Sequence, residues 1–336
     1  MKTLVYDVAA SESGALSILE EFYDKYRNDK ENQYVFVIST PELESTDNIQ
    51  VLRYPWIKKS WLHRWWFDHF YAPRIVKEYQ IDKVLSLQNV LVPIKNKKIE
   101  QTVYLHNALP FAEYRFRFRE NRMFWIYQNI IGKKIKQSAK KADKVIVQTN
   151  WMKKACVEQT GAEENKIEVQ QPTIDSSMII SFVDTLENQK TFFYPAVPLE
   201  YKNHKVILEA FKMFQDEGIS DYKVIFSFKG DENSYAKQLY SYAQKYDLRI
   251  IFAGKMSREE VFKMYSRSVL LFPSLIETFG MPLLEARLSG TPIVARNTPF
   301  AKEILKDYCH SFYINNADNS VNALIDILKL KLQKEQ

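Results

Sequence analysis

The stretch PSLIETFGMPLLEARLSGTPIVA, residues 273–295, contains two carboxylates, Glu277 and Glu285, with seven residues between them. Gly280 and Pro282 predict that a helix begins between the two acids, because the first turn of a helix does not use the N–H group that proline lacks. The unpaired main-chain N–H groups of that turn and the positive end of its dipole favour anionic or hydroxyl-rich ligands. Glu277 is therefore expected at the mouth of a ligand site, with Glu285 about one and a half turns further along the helix.

Two acids at an arbitrary spacing are more often a solvated loop residue and a surface helix residue, and the spacing alone leaves that interpretation open. The whole stretch, however, resembles the E-x7-E signature of the retaining glycosyltransferases of family 4. In that family the first glutamate contacts hydroxyl groups of the donor sugar, and the second binds the ribose of the nucleotide. The resemblance implies these roles for Glu277 and Glu285. It also implies that the donor is bound around the helix start, at Thr278, Phe279, Gly280 and Met281.

Length and composition indicate a globular protein of two domains. The chain has 336 residues, more than one hydrophobic core usually serves, and 46% of them are apolar and 26% charged. No apolar run reaches the roughly 18–20 residues of a membrane span. The apolar N-terminal stretch is interrupted by Asp7 and followed by Glu12, so it predicts a first strand rather than a signal peptide. Cys156 and Cys309 have no metal-ligand or disulfide spacing, which predicts a reduced, metal-free, cytoplasmic protein.

Strand-like and helix-like segments alternate from end to end, which predicts α/β architecture with parallel, doubly wound sheets. Strands are predicted at 3–8, 34–39, 49–53, 83–87, 102–106, 144–148, 191–195, 223–228, 249–254, 269–273 and 292–295. Helices are predicted at 15–26, 60–80, 111–141, 203–217, 234–246, 257–267 and 281–289, with a last amphipathic stripe at 321–328.

The pattern breaks at residues 170–175, so we predict two Rossmann-like domains in tandem, residues 1–168 and 169–318. The resemblance implies the GT-B fold, in which two such domains face each other across a cleft. It further implies that the N-terminal domain binds the acceptor and the C-terminal domain binds the nucleotide-sugar donor. By the same analogy the C-terminal helix, 319–336, crosses back to the first domain.

Lys202 follows a predicted strand and a loop in FYPAVPLEYKNHKVILEAF (193–211) and directly precedes a helix. A lone lysine in this place is more often a solvated residue at a helix N-terminus. The segment resembles the family element whose lysine neutralises the nucleotide diphosphate, and this implies a catalytic role for Lys202. Family members often carry a Gly-Arg pair just after the strand, where this chain has Pro195 and Ala196. The absent arginine predicts that charge compensation depends on Lys202, with another cation assisting.

Gly254 ends a predicted strand in FAGKMSREEVFKMYSRS (252–268), and Ser257 followed by Glu260 is a capping-box signature. In the family the residues after this strand pack on the nucleobase through backbone contacts, which makes Lys255 and Met256 candidates, and Gly254 at the strand end is a further candidate donor-binding residue. An ordinary strand-to-helix turn is the alternative interpretation.

Two candidates lie in the first domain. Ser13 and Gly14 join the first strand to the first helix, and a glycine there permits a phosphate or sugar to approach the helix start. The segment lacks G-x-G-x-x-G, so dinucleotide binding is disfavoured. His106 ends a strand in VYLHNALPF, at the edge where parallel sheets bind ligands. A lone histidine is more often structural, but the stretch resembles the family's histidine motif, which faces the donor sugar and acceptor.

No D-x-D motif ends a strand near the predicted nucleotide site, so no metal and no other cofactor is expected, and Lys202 and helix N-termini would stabilise the leaving group. The family transfers sugars with retention of configuration and without metal. The sequence itself establishes neither property.

Basic and aromatic residues are concentrated in the N-terminal half of the chain. Residues 53–79 carry six Lys/Arg against two Asp/Glu, residues 111–141 carry nine against two, and all six tryptophans occur at or before Trp151. No nucleic-acid-binding motif accompanies this charge, so nucleic acid is not an expected partner. The aromatic residues either belong to the core or, together with the cations, form a face that binds an anionic membrane surface.

The sequence therefore predicts a retaining, metal-independent glycosyltransferase that moves a hexose from a nucleotide sugar, UDP-linked as a first choice. The expected acceptor is a polysaccharide or a lipid-linked oligosaccharide, as in lipopolysaccharide or capsule synthesis, and the expected location is the inner face of the cell membrane. Two alternatives are a nucleotide-sugar epimerase of the same fold and a nucleotide-sugar-binding protein without turnover.

Overall fold

The computed structural model describes residues 1–11, 13–314 and 320–333, and it divides the chain into two compact units. The first unit comprises Met1–Gln171 and the second Pro172–Gln336. The boundary lies in the QQPTID segment at which the strand pattern was expected to break, close to the predicted 168/169 boundary.

The first unit is built on a parallel sheet. Its strands within the described residues are β1 (Lys2–Asp7), β2 (Gln33–Ile38), β3 (Ile49–Arg53), β4 (Lys83–Ser86), β5 (Glu100–Leu105), β6 (Lys144–Val147) and β7 (Ile167–Val169). Their order across the sheet is β3-β2-β1-β4-β5-β6-β7, and every neighbouring pair is parallel. Six of these strands are those that the sequence predicts, and β7, which is only three residues long, is not among the predicted strands.

Helices α1 (Ser13–Arg27), α2 (Trp61–Trp66), α3 (Ala72–Glu78), α4 (Arg122–Ile126), α5 (Gly132–Lys141) and α6 (Asn150–Thr160) belong to this unit. Two helical predictions need refinement. The predicted helix at 60–80 contains a π-helical turn at Phe67–Tyr71 between α2 and α3, and a second π-helical turn at Tyr127–Ile131 joins α4 to α5.

The predicted helix at 111–141 is wrong for its first part, because helical structure begins only at Arg122. Residues 114–119 alternate aromatic side chains with arginine, a period of two that does not suit a helix. The buried Gln128 side chain holds this segment as a loop. Its amide oxygen accepts from the Phe116 N–H at 2.9 Å, and its amide nitrogen donates to the carbonyl groups of Leu109 (3.2 Å) and Tyr114 (2.8 Å).

The second unit has its own parallel sheet. Its described strands are β8 (Thr191–Tyr194), β9 (Lys223–Phe226), β10 (Ile250–Phe252), β11 (Val269–Phe272), β12 (Ile293–Arg296) and β13 (Ser311–Ile314), in the order β10-β9-β8-β11-β12-β13. Strand β13 is not among the strands predicted from the sequence. Because β8 and β11 are neighbours and parallel, the loops that follow Tyr194 and Phe272 emerge side by side at the carboxyl edge of the sheet.

The helices of the second unit are α7 (Leu186–Gln189), α8 (His204–Asp216), α9 (Ser234–Lys245), α10 (Arg258–Tyr265), α11 (Met281–Leu288), α12 (Pro299–Leu305) and α13 (Ser320–Gln333). The described part of α13 packs on α8 and β13, and Lys329 forms an ion pair with Glu217 at 2.5 Å. The described part of this helix therefore belongs to the second unit, and the crossing back to the first domain that the resemblance implied for 319–336 stays a prediction.

Candidate active site

Lys202 and Glu277, 75 residues apart in the sequence, form an ion pair at the carboxyl edge of the second sheet. Lys202 ends a short 3-10 turn (Glu200–Lys202) after β8, and Glu277 lies in the loop after β11. Main-chain contacts join the two loops, since the Leu275 N–H donates to the Tyr201 carbonyl at 2.8 Å. The Lys202 Nζ to Glu277 Oε1 distance is 2.5 Å, with 16% and 15% of the two side chains exposed.

The environment of Lys202 favours its charged form. Burial acts to lower the pKa of Lys202, but the adjacent Glu277 carboxylate outweighs it, and the net result is a raised pKa. The next histidine, His204, is fully buried, and burial together with the nearby Lys202 ammonium lowers its pKa to about 3. His204 is therefore neutral at physiological pH, and Lys202 supplies the positive charge at this loop.

Glu285 is buried, so the interpretation of it as a surface helix residue is wrong. Its Oε1 accepts from Arg258 Nη2 at 2.9 Å, and its Oε2 accepts from the Tyr265 hydroxyl at 3.0 Å. Burial raises the pKa of Glu285, while the Arg258 guanidinium and the Tyr265 hydrogen bond act in the opposite direction. Arg258 was not singled out in the sequence, because nothing in its local spacing links it to an acid 27 residues away.

The start of α11 requires glycine at position 280. Gly280 has a φ of 92°, a left-handed conformation that L side chains rarely adopt, and a Cβ there would lie 3.3 Å from Leu283 Cδ1. Gly280 is the N-cap of α11, and no side chain caps this end of the helix. The first turn begins with Met281 and the proline that follows it. Thr278 and Met281 are half-buried, whereas Phe279 lies in the core, so only its main chain is available to a ligand.

The loop after β10 contains the other predicted donor-binding residues. Gly254 has a φ of 84°, and a Cβ at this position would lie 3.3 Å from Cγ of Lys229, whose side chain crosses the glycine. Met256 is half-buried, and the predicted capping box of Ser257 and Glu260 is confirmed. Lys229 follows β9 at this same edge of the sheet and is a further cation, for which the sequence pattern gave no signal.

In the first unit, His106 follows β5 and is held by the side chain of Asn89. The Asn89 amide oxygen accepts from the N–H groups of His106 (2.8 Å) and Asn107 (3.0 Å). Asn89 is buried and has a φ of 66°, which asparagine adopts more readily than most residues. Burial lowers the pKa of His106 to about 4, so its imidazole is neutral at physiological pH.

Gly14 lies in the first turn of α1, and a Cβ at this position would meet no atom within 4 Å. A larger side chain would therefore fit at position 14. Among the residues that the structure describes, no group of three or more His, Cys, Asp or Glu side chains is arranged to hold a metal ion.

Apart from Met1, the exposed large hydrophobic side chains among the described residues of the first unit lie on two segments, which we call the α2 segment and the 114–130 segment. On the α2 segment they are Trp61, Leu62, Trp65, Trp66 and Phe70, and 77% of Trp61 is exposed. On the 114–130 segment they are Tyr114, Phe118, Met123, Ile126, Tyr127 and Ile130. Other aromatic residues of the same stretches belong to the core: Phe67, Phe111, Phe116 and Phe124. No helix within the described residues has the length and apolar character needed to span a membrane.

The part of the chain that contains Lys202 and Glu277 matches a known protein family. Residues 179–336 match the family described as glycosyl transferases group 1, and this range contains Lys202, Arg258, Glu277 and Glu285. We call residues 179–336, which match this family, the group 1 domain.

A relative that extends beyond the group 1 domain is the O-antigen chain mannosyltransferase RfbU of Salmonella typhimurium, 22% identical over 255 residues. The alignment covers 75% of this chain and 66% of RfbU, so the chain spans just under two thirds of that relative. The group 1 domain is thus homologous to a domain of O-antigen mannosyltransferases.

Solved structures show the fold. HepE of Anabaena, crystallised with UDP and glucose, aligns with a TM-score of 0.68 at 15% identity and covers 99% of this chain and 90% of its own. WaaG, a glycosyltransferase involved in lipopolysaccharide biosynthesis, aligns with a TM-score of 0.69 at 13% identity and covers 99% and 92%. With its two parallel-sheet units, one of them the group 1 domain, the chain has the predicted GT-B fold.

Proposed function

We propose that this protein is a retaining, metal-independent hexosyltransferase of family 4 that uses a nucleotide-sugar donor. The observation that carries the proposal is the Lys202–Glu277 ion pair at 2.5 Å in the group 1 domain. It presents a charged ammonium and a carboxylate together at the edge where parallel sheets bind ligands. A cation is suited to a diphosphate and a carboxylate to sugar hydroxyl groups, so the pair matches the two parts of a nucleotide sugar.

The proposed roles follow from these environments. Lys202 neutralises the charge that develops on the diphosphate as the bond from the sugar C1 to the phosphate oxygen breaks. Glu277 accepts hydrogen bonds from the sugar, and Glu285 accepts them from the ribose hydroxyls. An acceptor hydroxyl oxygen forms the new bond to C1 on the same face, and its proton passes to the departing phosphate. Main-chain groups at Thr278, Gly280 and Gly254 approach the donor closely.

His106 is proposed to hydrogen-bond the donor sugar or the acceptor as a neutral imidazole. Because its pKa is about 4, it remains uncharged throughout the physiological range. Asn89 fixes the main chain of this loop, which suits a residue that positions a substrate. Gly14, in the first turn of α1, is also proposed to contact the donor.

The donor sugar and acceptor are proposed from relatives. RfbU is named as an O-antigen chain mannosyltransferase, which favours mannose and a glycan or lipid-linked glycan acceptor. HepE was solved with UDP and glucose, so a UDP-linked donor stays the first nucleotide to test. We further propose that the α2 and 114–130 segments bind an anionic membrane surface at the inner face of the cell membrane, which brings the enzyme to a lipid-linked acceptor.

A panel of nucleotide sugars, including UDP-glucose and GDP-mannose, tests the function by thermal shift followed by transfer assays with lipid-linked glycans. A true donor raises the melting temperature, since it binds only the folded state. Transfer should require an acceptor and should continue in excess EDTA. Sugar conversion without acceptor would favour the epimerase, binding without turnover would favour a non-catalytic binding protein, and loss of activity in EDTA would refute metal independence.

A further inference from the structure

Arg258 is the charged partner of Glu285, and neither the motif nor the family match gives it a role. It is the first residue of α10, directly after the capping serine, and about half of its side chain is exposed. Its Nη2 lies 2.9 Å from Glu285 Oε1, whereas the carboxylate itself is buried. The contact joins the first turn of α10 to the middle of α11.

A buried carboxylate without a cationic partner takes up a proton, because removing a charge from water is costly. A protonated Glu285 would have one oxygen that donates and would lose part of its capacity to accept hydrogen bonds from two hydroxyl groups. An arginine placed against one oxygen leaves further acceptor positions open, since an ionised carboxylate has about four.

We propose that Arg258 is a positioning residue for nucleotide binding: it keeps Glu285 ionised and aligned, so that the carboxylate accepts hydrogen bonds from the ribose. This inference rests on the proposed function, because it takes Glu285 to be the ribose ligand. The groups that face Glu285 are Arg258 and Tyr265, both on α10. Arg258 in turn influences Asp175, whose pKa is lowered mainly by its hydrogen bonds to Ser177 and slightly by the guanidinium.

The experiment compares Arg258→Gln, Arg258→Lys and the wild type by calorimetric titration with UDP-glucose and GDP-mannose. These probes are diphosphate diesters, so their own charge is constant across the range. Between about pH 5 and pH 8, affinity should change less with pH in the wild type than in Arg258→Gln. In Arg258→Gln the pKa of Glu285 rises further, so affinity should fall by up to about tenfold for each pH unit below that pKa. Arg258→Lys should restore most of the affinity.

Lys263→Gln is the matched control, since Lys263 lies on the same helix but pairs with Glu259 at the surface. It should bind as the wild type does at every pH. Unchanged binding by Arg258→Gln, or a loss that does not depend on pH, would overturn the inference, and tighter binding would show that Arg258 competes with the ligand instead. Failure of the wild type to bind any probe would count against the proposed function and not against Arg258 alone.

A second measurement tests the electrostatic step without any ligand. Because the pKa of Glu285 is raised in the folded protein, the folded state binds its proton more tightly, and stability is lost as pH rises through that pKa. Arg258→Gln should therefore lose more stability than Lys263→Gln between about pH 5 and pH 8 in denaturant titrations. Parallel stability curves for the two variants would refute the role of Arg258 in keeping Glu285 ionised.

Discussion

Lys202 and Glu277 are bound to each other in the ligand-free chain, so a change at one alters the other. If Glu277 contacted only the donor sugar, Glu277→Ala would leave affinity for the diphosphate nearly intact. The ion pair changes that expectation, because loss of the carboxylate leaves the mostly buried Lys202 without its counter-ion and allows burial to lower its pKa. Glu277→Gln removes the charge and keeps the size of the side chain, so it is a more informative substitution than Glu277→Ala.

Glu277→Gln should lower turnover on the order of a hundredfold, since the neutral amide neither accepts sugar hydroxyls as strongly nor holds Lys202 charged. Turnover and affinity for the free nucleoside diphosphate should be measured in Glu277→Gln, Lys202→Met and the double variant. The effects should be non-additive, as for other contacting residues. Strictly additive losses would argue that the two side chains act independently.

Glu285→Ala should weaken binding of the free nucleoside diphosphate by about 1.5–3 kcal/mol, the range for hydrogen bonds to a charged group. A sugar-free ligand is used so that Glu277 contributes nothing through the sugar. Calorimetric titration gives the comparison, with melting curves to verify the fold. Equal affinity in the variant and the wild type would remove Glu285 from the ribose role.

We expect the buried carboxylate of Asp7, at the end of β1, to lower the stability of the protein at neutral pH. It is buried, its Oδ1 accepts from the Ala10 N–H at 3.0 Å, and its Oδ2 has no hydrogen-bond partner within the described part of the chain. Burial raises its pKa from 3.8 to about 6, against the opposing influence of nearby main-chain N–H groups, Arg64 and Lys58. The contribution of Asp7 to stability is therefore fully present below about pH 4 and is lost as pH rises through about 6.

Asp7→Asn should accordingly raise the free energy of unfolding at pH 8 by up to about 3 kcal/mol, with little gain at pH 4. Denaturant titrations at the two pH values measure the difference. An equal effect at both would show that Asp7 is not protonated in the folded protein near pH 4.

At the scale of elements, the start of α11 links backbone geometry to the site, because Gly280 lies between Glu277 and Glu285. Alanine at position 280 should cost roughly 1–2 kcal/mol for the left-handed conformation, with added strain against Leu283, and should displace the first turn of α11. Gly218→Ala is the matched control, since Gly218 also has a positive φ, 80°, but a Cβ there meets nothing within 4 Å.

Both glycine variants should lower the melting temperature, and only Gly280→Ala should also weaken nucleotide binding. Thermal melts with and without the nucleotide make the comparison. Equal nucleotide affinity in the two variants would mean that the geometry of the α11 start does not matter for the ligand.

At the scale of the whole molecule, basic and exposed aromatic residues of the first unit make a membrane contact testable. Arg115, Arg117 and Arg119 are exposed and lie among the exposed rings of the 114–130 segment. Replacing all three with serine should weaken binding to anionic vesicles by roughly 3 kcal/mol at low salt, about 1 kcal/mol for each cation near the surface. Added salt should reduce the difference.

The control replaces Lys237, Lys245 and Lys302 with serine, which removes three exposed cations from the second unit. Vesicle sedimentation should separate the two triple variants, and nucleotide binding should be unchanged in both. Equal vesicle binding by the two, or none by the wild type, would favour a soluble acceptor.

Much of the fold was predictable because periodicity is a local property. Buried apolar runs and intervening amphipathic segments identified eleven of the strands to within a few residues, and the loop motifs around Lys202, Glu277 and Glu285 were evident. The errors arose where distant contacts override local pattern. Gln128 holds residues 109–116 as a loop by side-chain hydrogen bonds, and β7 and β13 are short strands completed by pairing with β6 and β12.

The sequence by itself determined the two parallel-sheet units and the residues at the carboxyl ends of their strands, because strand and helix periods and turn residues act over a few positions. Only the tertiary structure decided the electrostatic state of those residues. The parallel pairing of β8 and β11 brings Lys202 against Glu277, and the packing of α10 on α11 buries Glu285 and supplies Arg258 as its partner. Burial and ion pairing depend on groups far apart in the chain, so the pKa of a site residue is a property of the folded molecule.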